Sequence, residues 1–208
     1  MQREVEAENL EMRRLNAELA MTNRSLQHTT MLDSLTELPN RRYAIQQIEK
    51  EWAAAQRSHQ PLSCIMIDVD CFKDINDTFG HHAGDSVLRQ IAEVMKSAVR
   101  TEDVICRIGG DEFLVICPNA ELVGARDVSE RLRNAVAHLL VKEGDFVLQT
   151  TISVGVATKE SCMANSQAII RAADEALYGA KFAGRNRPST ERGARINSVT
   201  CSVPALLN

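Results

Sequence analysis

Apolar positions along this chain recur with two periods, and the places where the period changes mark out the elements. Residues 40–56 read as a helix, and Leu62-Ser63-Cys64-Ile65-Met66-Ile67 reads as a short buried strand ending at Asp68-Val69-Asp70. In residues 84–100, Val87, Ile91, Val94, Met95 and Ala98 form a helical stripe. Two short apolar runs follow, Val104 to Cys106 and Phe113 to Cys117. A further helix is expected over residues 121–140, one or two strands over 146–157, and a last helix marked by Ile169, Ala172, Ala173, Ala176, Leu177 and Ala180. Strands and helices interleave around a central hairpin. This order predicts an α+β fold, a mixed central β-sheet flanked by helices, with an additional N-terminal helix.

The ends of the chain carry a different pattern. Residues 1–32 read as a helical linker: Val5, Met12, Leu15, Leu19 and Leu26 follow a 3-4 spacing, interrupted by Glu8, Thr22 and Thr29. The spacing fits a short coiled coil or a solvated helix lying on its own domain, and the pattern leaves both open. Residues 33–186 hold the globular part. Residues 187–208 are polar and aperiodic, the signature of a disordered tail.

Composition narrows the picture. With 208 residues, 44% hydrophobic, the chain has enough material for one good core. A formal net charge of −4 argues against a nucleic-acid partner, whose backbone calls for a basic excess. No apolar run approaches the roughly 20 residues that span a bilayer, and the start Met1-Gln2-Arg3-Glu4 lacks a secretory signal's apolar segment. A soluble, cytoplasmic chain is the expectation. The six cysteines contain no C-x-x-C pair, and Cys64, Cys106 and Cys117 sit in or beside apolar runs as small core hydrophobes.

The chemistry concentrates between the two short runs, in Arg107-Ile108-Gly109-Gly110-Asp111-Glu112-Phe113. A glycine pair can supply the positive backbone angles of a primed hairpin turn, so two neighbouring acids are expected at the tip of a rigid hairpin. Asp68 and Asp70 stand at the end of another buried strand. A carboxylate there, brought near Asp111 by strand pairing, would repel it by roughly 4 kcal/mol at about 4 Å and an effective dielectric near 20. A divalent cation would remove that cost. Oxygen donors without His or Cys favour Mg2+ or Mn2+, and Mg2+ commonly combines one or two carboxylates with substrate phosphates.

Between the acids runs a polar stretch, residues 72–85. Lys73 can reach a phosphate, and Asn76 and Asp85 can bond the edge of a base. Asp85 also suits the N-cap of a helix starting near it. Farther on, Lys181 and Arg185 flank a helix end, where cations either complement the helix dipole or neutralise phosphate.

Taken in order, these segments resemble the GGDEF family of diguanylate cyclases over roughly residues 33–186. The resemblance rests on Asp33-Ser34-Leu35-Thr36-Glu37-Leu38-Pro39-Asn40-Arg41-Arg42 as the lead-in motif, Asp68 to Lys73, Asn76-Asp77, Gly80-His81 with Gly84-Asp85, the hairpin, and Lys181 to Asn186. Glu37 stands where the family often has glycine.

The resemblance implies a fold similar to the nucleotidyl cyclase palm and condensation of two GTP into cyclic di-GMP with release of two pyrophosphates. Two domains would face each other as a homodimer. It implies that Asp68, the Val69 carbonyl and Asp111 hold Mg2+ or Mn2+, with Glu112 an additional metal or phosphate contact and Asp111 the proton acceptor. Lys73 would stabilise charge on the phosphoryl group, and Lys181 and Arg185 would sit near the outer phosphates. Asn76 and Asp85 would read guanine while His81 positions the nucleotide. Arg100 and Asp103, in R-x-x-D at the family's offset from the hairpin, would form an inhibitory site for cyclic di-GMP. An upstream sensory domain is expected to precede such an output domain. The alternative is a catalytically inactive receptor for GTP or cyclic di-GMP.

Overall fold

The organising element is β1 (Leu62–Val69), all eight residues of which are buried. A strand can be apolar on both faces only when both faces are covered, and here they are. The computed structural model describes residues 12–13, 31–144, 146–182 and 188–190. It divides into Met1–Met31 and Leu32–Asn208. Of the expected N-terminal helix, Met12 and Arg13 are among the described residues and both are helical; the rest of its seam lies outside them.

In Leu32–Asn208, α1 (Arg41–Ser58) precedes β1, and α2 (Phe72–Phe79) and α3 (His81–Ala98) follow it. Next come β2 (Val104–Arg107), β3 (Glu112–Pro118) and α4 (Leu122–Ala137). The hairpin β4 (Val141–Glu143) and β5 (Phe146–Leu148) leads to β6 (Ile152–Thr158), α5 (Ser166–Phe182) and β7 (Pro188–Thr190). The main sheet runs β2-β3-β1-β6-β7, antiparallel except for the parallel pair β6–β7, while β4 and β5 pair separately. This is the mixed, helix-covered α+β architecture that the sequence pattern predicts.

Alternation along the strands sorts the core into two layers. Ile65, Ile67, Phe113, Val115 and Val154 face α3 and α4 in one cluster. Cys64, Met66, Leu114 and Ile116 face α1 and α5 in the other, against Ile48, Trp52, Ala173 and Leu177. Cys64, Cys106 and Cys117 are free and buried, as expected of core cysteines, and burial pushes the Cys106 thiol up to about 12.

Four sequence expectations need correction. The helix expected from residue 84 begins at His81, so Asp85 lies in its second turn and does not cap it; Gly80, at φ 83°, occupies the N-cap instead. Gly109 and Gly110 do not have positive φ, so the hairpin tip is not a primed turn. A Cβ at Gly109 would lie 2.6 Å from Glu112 Oε2 and 3.3 Å from Glu112 Cβ, so a side chain there would have to displace the exposed Glu112 carboxylate. Residues 188–190, expected in a disordered tail, form β7 alongside Val154–Val156. The remaining residues of that tail lie outside the described ones. The polar stretch before residue 81, read as a run between elements, contains a helix of its own, α2.

Candidate active site

Strand pairing places the acids at one end of the sheet. In the β1–β3 register, Ile67 faces Phe113 and Asp68 faces Glu112, and the Val69 N–H donates to the Asp111 carbonyl at 3.1 Å. Asp111 therefore sits one step beyond the last paired residue, beside the end of β1. The tip is fixed from within: the Ile108 and Gly109 N–H groups both donate to the Glu112 carbonyl, at 3.0 and 3.3 Å. Asp68 is buried, Asp111 half-buried and Glu112 exposed, so the three acids are graded from core to solvent.

Lys181, at the end of α5, reaches Asp68 with Nζ 2.6 Å from Oδ2. Burial pushes the Asp68 carboxyl above its ordinary range, and the neighbouring charges of Asp111 and Asp70 act in the same direction; the hydrogen bond and charge of Lys181 oppose them. Asp70 plays a different part from the one its D-x-D position suggests. Its two oxygens accept from Thr151 Oγ1 and Ser153 Oγ, each at 2.6 Å, which clamps the end of β1 to the start of β6.

The chain leaves β1 through Cys71, at φ 55°, and turns at once into α2. Lys73 is exposed in the first turn of α2, and Asn76 lies half-buried against Gly84 of α3. His81 is the exposed first residue of α3, and Asp85 follows one turn later, half-buried. Asn76 and Asp85 thus belong to the same helix corner, directly after the acidic end of β1. Arg185 lies outside the described residues.

Arg100 and Asp103 form a tight turn between α3 and β2. The Arg100 N–H donates to Asp103 Oδ2 at 3.0 Å and the Asp103 N–H returns to the Arg100 carbonyl at 3.2 Å. Arg100 is exposed, Asp103 is buried, and Asp103 Oδ1 has no hydrogen-bond partner.

One participant went unrecognised in the sequence. Arg107 Nη1 binds Asp33 Oδ1 at 2.8 Å, and its Nε and Nη2 donate to the Gly110 carbonyl at 3.2 and 2.7 Å. Burial alone would raise the Asp33 carboxyl, but hydrogen bonds from Arg107 and Thr36 outweigh it and hold the group below its ordinary range. The signal was present as an Asp in the lead-in motif and an Arg just before the glycine pair.

Among the described residues no three His, Cys, Asp or Glu side chains cluster as a metal cage, and no helix is long and apolar enough to cross a membrane. The donor set at the sheet end, two carboxylates beside the last backbone carbonyl of β1, suits a hard cation that completes its shell with substrate oxygens. The residues fit such an ion.

Residues 30–187 match the family described as "Diguanylate cyclase, GGDEF domain". The chain belongs to this family. The GGDEF domain is 43% identical over 156 residues to the response regulator PleD of Caulobacter vibrioides, covering 74% of this chain and 34% of PleD. It is 36% identical over 174 residues to diguanylate cyclase A of Treponema denticola, covering 82% of this chain and 47% of that protein. The chain therefore spans less than half the length of either relative. Among solved structures, the GGDEF domain of DgcB from Caulobacter crescentus, in complex with c-di-GMP, superposes with a TM-score of 0.75 at 30% identity, covering 78% of this chain and 94% of that one. The diguanylate cyclase SiaD of Pseudomonas aeruginosa, in complex with its activator SiaC, gives 0.73 at 39%, covering 89% and 71%.

Proposed function

We propose that this GGDEF domain condenses two GTP molecules into cyclic di-GMP, releasing two pyrophosphates, as a diguanylate cyclase that works when two copies face each other. The observation that carries the reading is the juxtaposition of Asp68 and Asp111 at the end of β1 and β3, with the α2–α3 corner opening from the same strand. A receptor that had lost catalysis would not need both acids and both hairpin glycines, and this chain has all four.

Mg2+ or Mn2+ held by Asp68, the Val69 carbonyl and Asp111, with Glu112 at the exposed edge, would supply positive charge to the triphosphate. The protein's own contributions follow from position. Asp111, on a turn locked by hydrogen bonds, accepts the proton of the attacking 3'-hydroxyl. Lys73 stands in the first turn after β1, where its ammonium meets charge dispersed over the transferring phosphoryl group. Lys181, already committed to Asp68, and Arg185 balance the outer phosphates. At the helix corner Asp85 accepts from the guanine N–H groups, Asn76 bonds the base edge and His81 holds the nucleotide.

Because one domain holds one GTP, the reaction needs a homodimer. Cyclic di-GMP returns to Arg100 and Asp103 as an inhibitor. A GTP substrate supports a cytoplasmic location for the domain. Incubating the chain with GTP and Mg2+, then Mn2+, and detecting cyclic di-GMP by mass spectrometry tests the reading. Asp111→Asn and Asp68→Asn are expected to fold and to lose about a hundredfold or more in rate, the usual effect of removing one electrostatic stabiliser. GTP binding without product in the native chain would establish a receptor instead.

A further inference from the structure

Gly84 is buried in the first turns of α3, where glycine is a poor choice for helix stability. Its backbone makes no demand for glycine, because its φ is not positive and its N–H donates to the Gly80 carbonyl at 3.3 Å, as in any helix start. What the missing side chain provides is space. A Cβ at this position would lie 2.0 Å from Asn76 Oδ1, 3.0 Å from Asn76 Cγ and 3.1 Å from Phe72 Cζ, whereas ordinary contact begins near 3.4 Å. The Asn76 carboxamide occupies the volume that any other residue at 84 would fill.

We propose that Gly84 is a specificity-determining positioning residue: it lets the carboxamide of Asn76 lie against α3, next to Asp85, so that one amide and one carboxylate meet the edge of the same purine. The inference rests on the reading that Asn76 and Asp85 face guanine. Guanine offers two adjacent donors and a carbonyl acceptor, which a carboxylate and a carboxamide complement together. Asp85 alone matches only the donors. A methyl group at 84 meets side-chain atoms rather than backbone, the Asn76 amide at 2.0 Å far more severely than the edge of the Phe72 ring at 3.1 Å, so the amide is the group that must move. Alanine also favours the helix. Stability and base recognition are therefore predicted to part company in a single substitution.

The experiment compares Gly84→Ala, Asn76→Ala and the double variant for melting temperature, for KM and kcat with GTP, and for inhibition by ATP. Gly84→Ala is expected to melt no lower than the native chain, to raise KM for GTP by about tenfold or more with kcat at saturation preserved, and to narrow the preference over ATP, as expected when a hydrogen-bonding group is displaced. The double variant is expected to match Asn76→Ala, because the displaced group is already gone. If Gly84→Ala melts lower, recovery in the double variant identifies the Asn76 clash as the cause and supports the proposal; failure to recover overturns it. A native KM in Gly84→Ala beside a raised KM in Asn76→Ala overturns the role of Gly84 and leaves the base reading intact. A native KM in Asn76→Ala overturns the base reading and the proposal with it.

Discussion

Replacing Gly155 with alanine tests how the sheet sets the position of a residue at the active site. Gly155 lies in β6 opposite Met66 of β1, two residues before the Asp68 position, and α5 packs directly over it. A Cβ there would lie 2.1 Å from the Ala173 carbonyl oxygen, 2.2 Å from the Leu177 nitrogen and 2.7 Å from its Cα. These are backbone atoms and cannot rotate away, so α5 must lift by about 1 Å or β6 must bend, an overpacking that typically costs about 1–3 kcal/mol. Alanine's smaller unfolded-state entropy returns about 0.4–1 kcal/mol, too little to reverse the sign. For a chain of this size the net loss corresponds to a fall of a few degrees in Tm, at about 2–4 °C per kcal/mol. The larger effect falls on function. Lys181 projects from α5 one turn beyond Leu177 and depends on the seating of that helix to reach Asp68 at 2.6 Å. A misplacement of about 1 Å at a reacting centre can cost about a hundredfold in rate. Thermal melts of Gly155→Ala, read beside initial rates of cyclic di-GMP formation, check both numbers. A variant that melts and turns over like the native chain would refute the claim that this contact sets the helix height.

Three further outcomes are expected. Lys181→Met removes the hydrogen bond and the charge that oppose protonation of Asp68, so the acid limb of the rate profile should move to higher pH, which a pH series of initial rates will show. Asp33→Asn should lower stability at neutral pH by about 1–3 kcal/mol, the range for a hydrogen-bonded charged group. Because the folded Asp33 carboxyl is held below its ordinary 3.8, its contribution is present above that value and disappears as pH falls through the folded value, so urea melts of native and variant chains should converge in acid. Arg100→Ala should keep its initial rate yet respond less to added cyclic di-GMP, as measured from progress curves with and without product.

Much of this architecture is legible in the sequence because its elements are long or doubly covered. The mostly apolar run of β1 and the stripe through Val87, Ile91 and Met95 each name their own element. The acids were legible because glycine and carboxylate alternate with apolar strands in a pattern with few alternatives. The start of α3 was not, since His81-His82-Ala83-Gly84 offers no capping side chain and the cap falls to a glycine with positive φ. Strands of three residues, β4 and β7, are too short to show a period, and β7 exists through a parallel partner far back in the chain. The Lys181–Asp68 pair depends on where α5 crosses the sheet, which no local pattern encodes. The glycine pair marks the hairpin tip, yet neither glycine has the positive φ of a primed turn, and a Cβ at Gly110 would meet nothing within 4 Å.

The single guanidinium of Arg107 joins two stretches of chain that are distant in sequence, the lead-in at Asp33 and the hairpin tip at Gly110. Its backbone makes the same connection, donating to the Pro39 carbonyl at 2.9 Å. Mechanically, the tip that carries Asp111 is moored to the lead-in segment through this one residue. The same segment is anchored below by Leu38 in the hydrophobic core, so the hairpin turn is braced both by polar bonds and by the core packing of the lead-in.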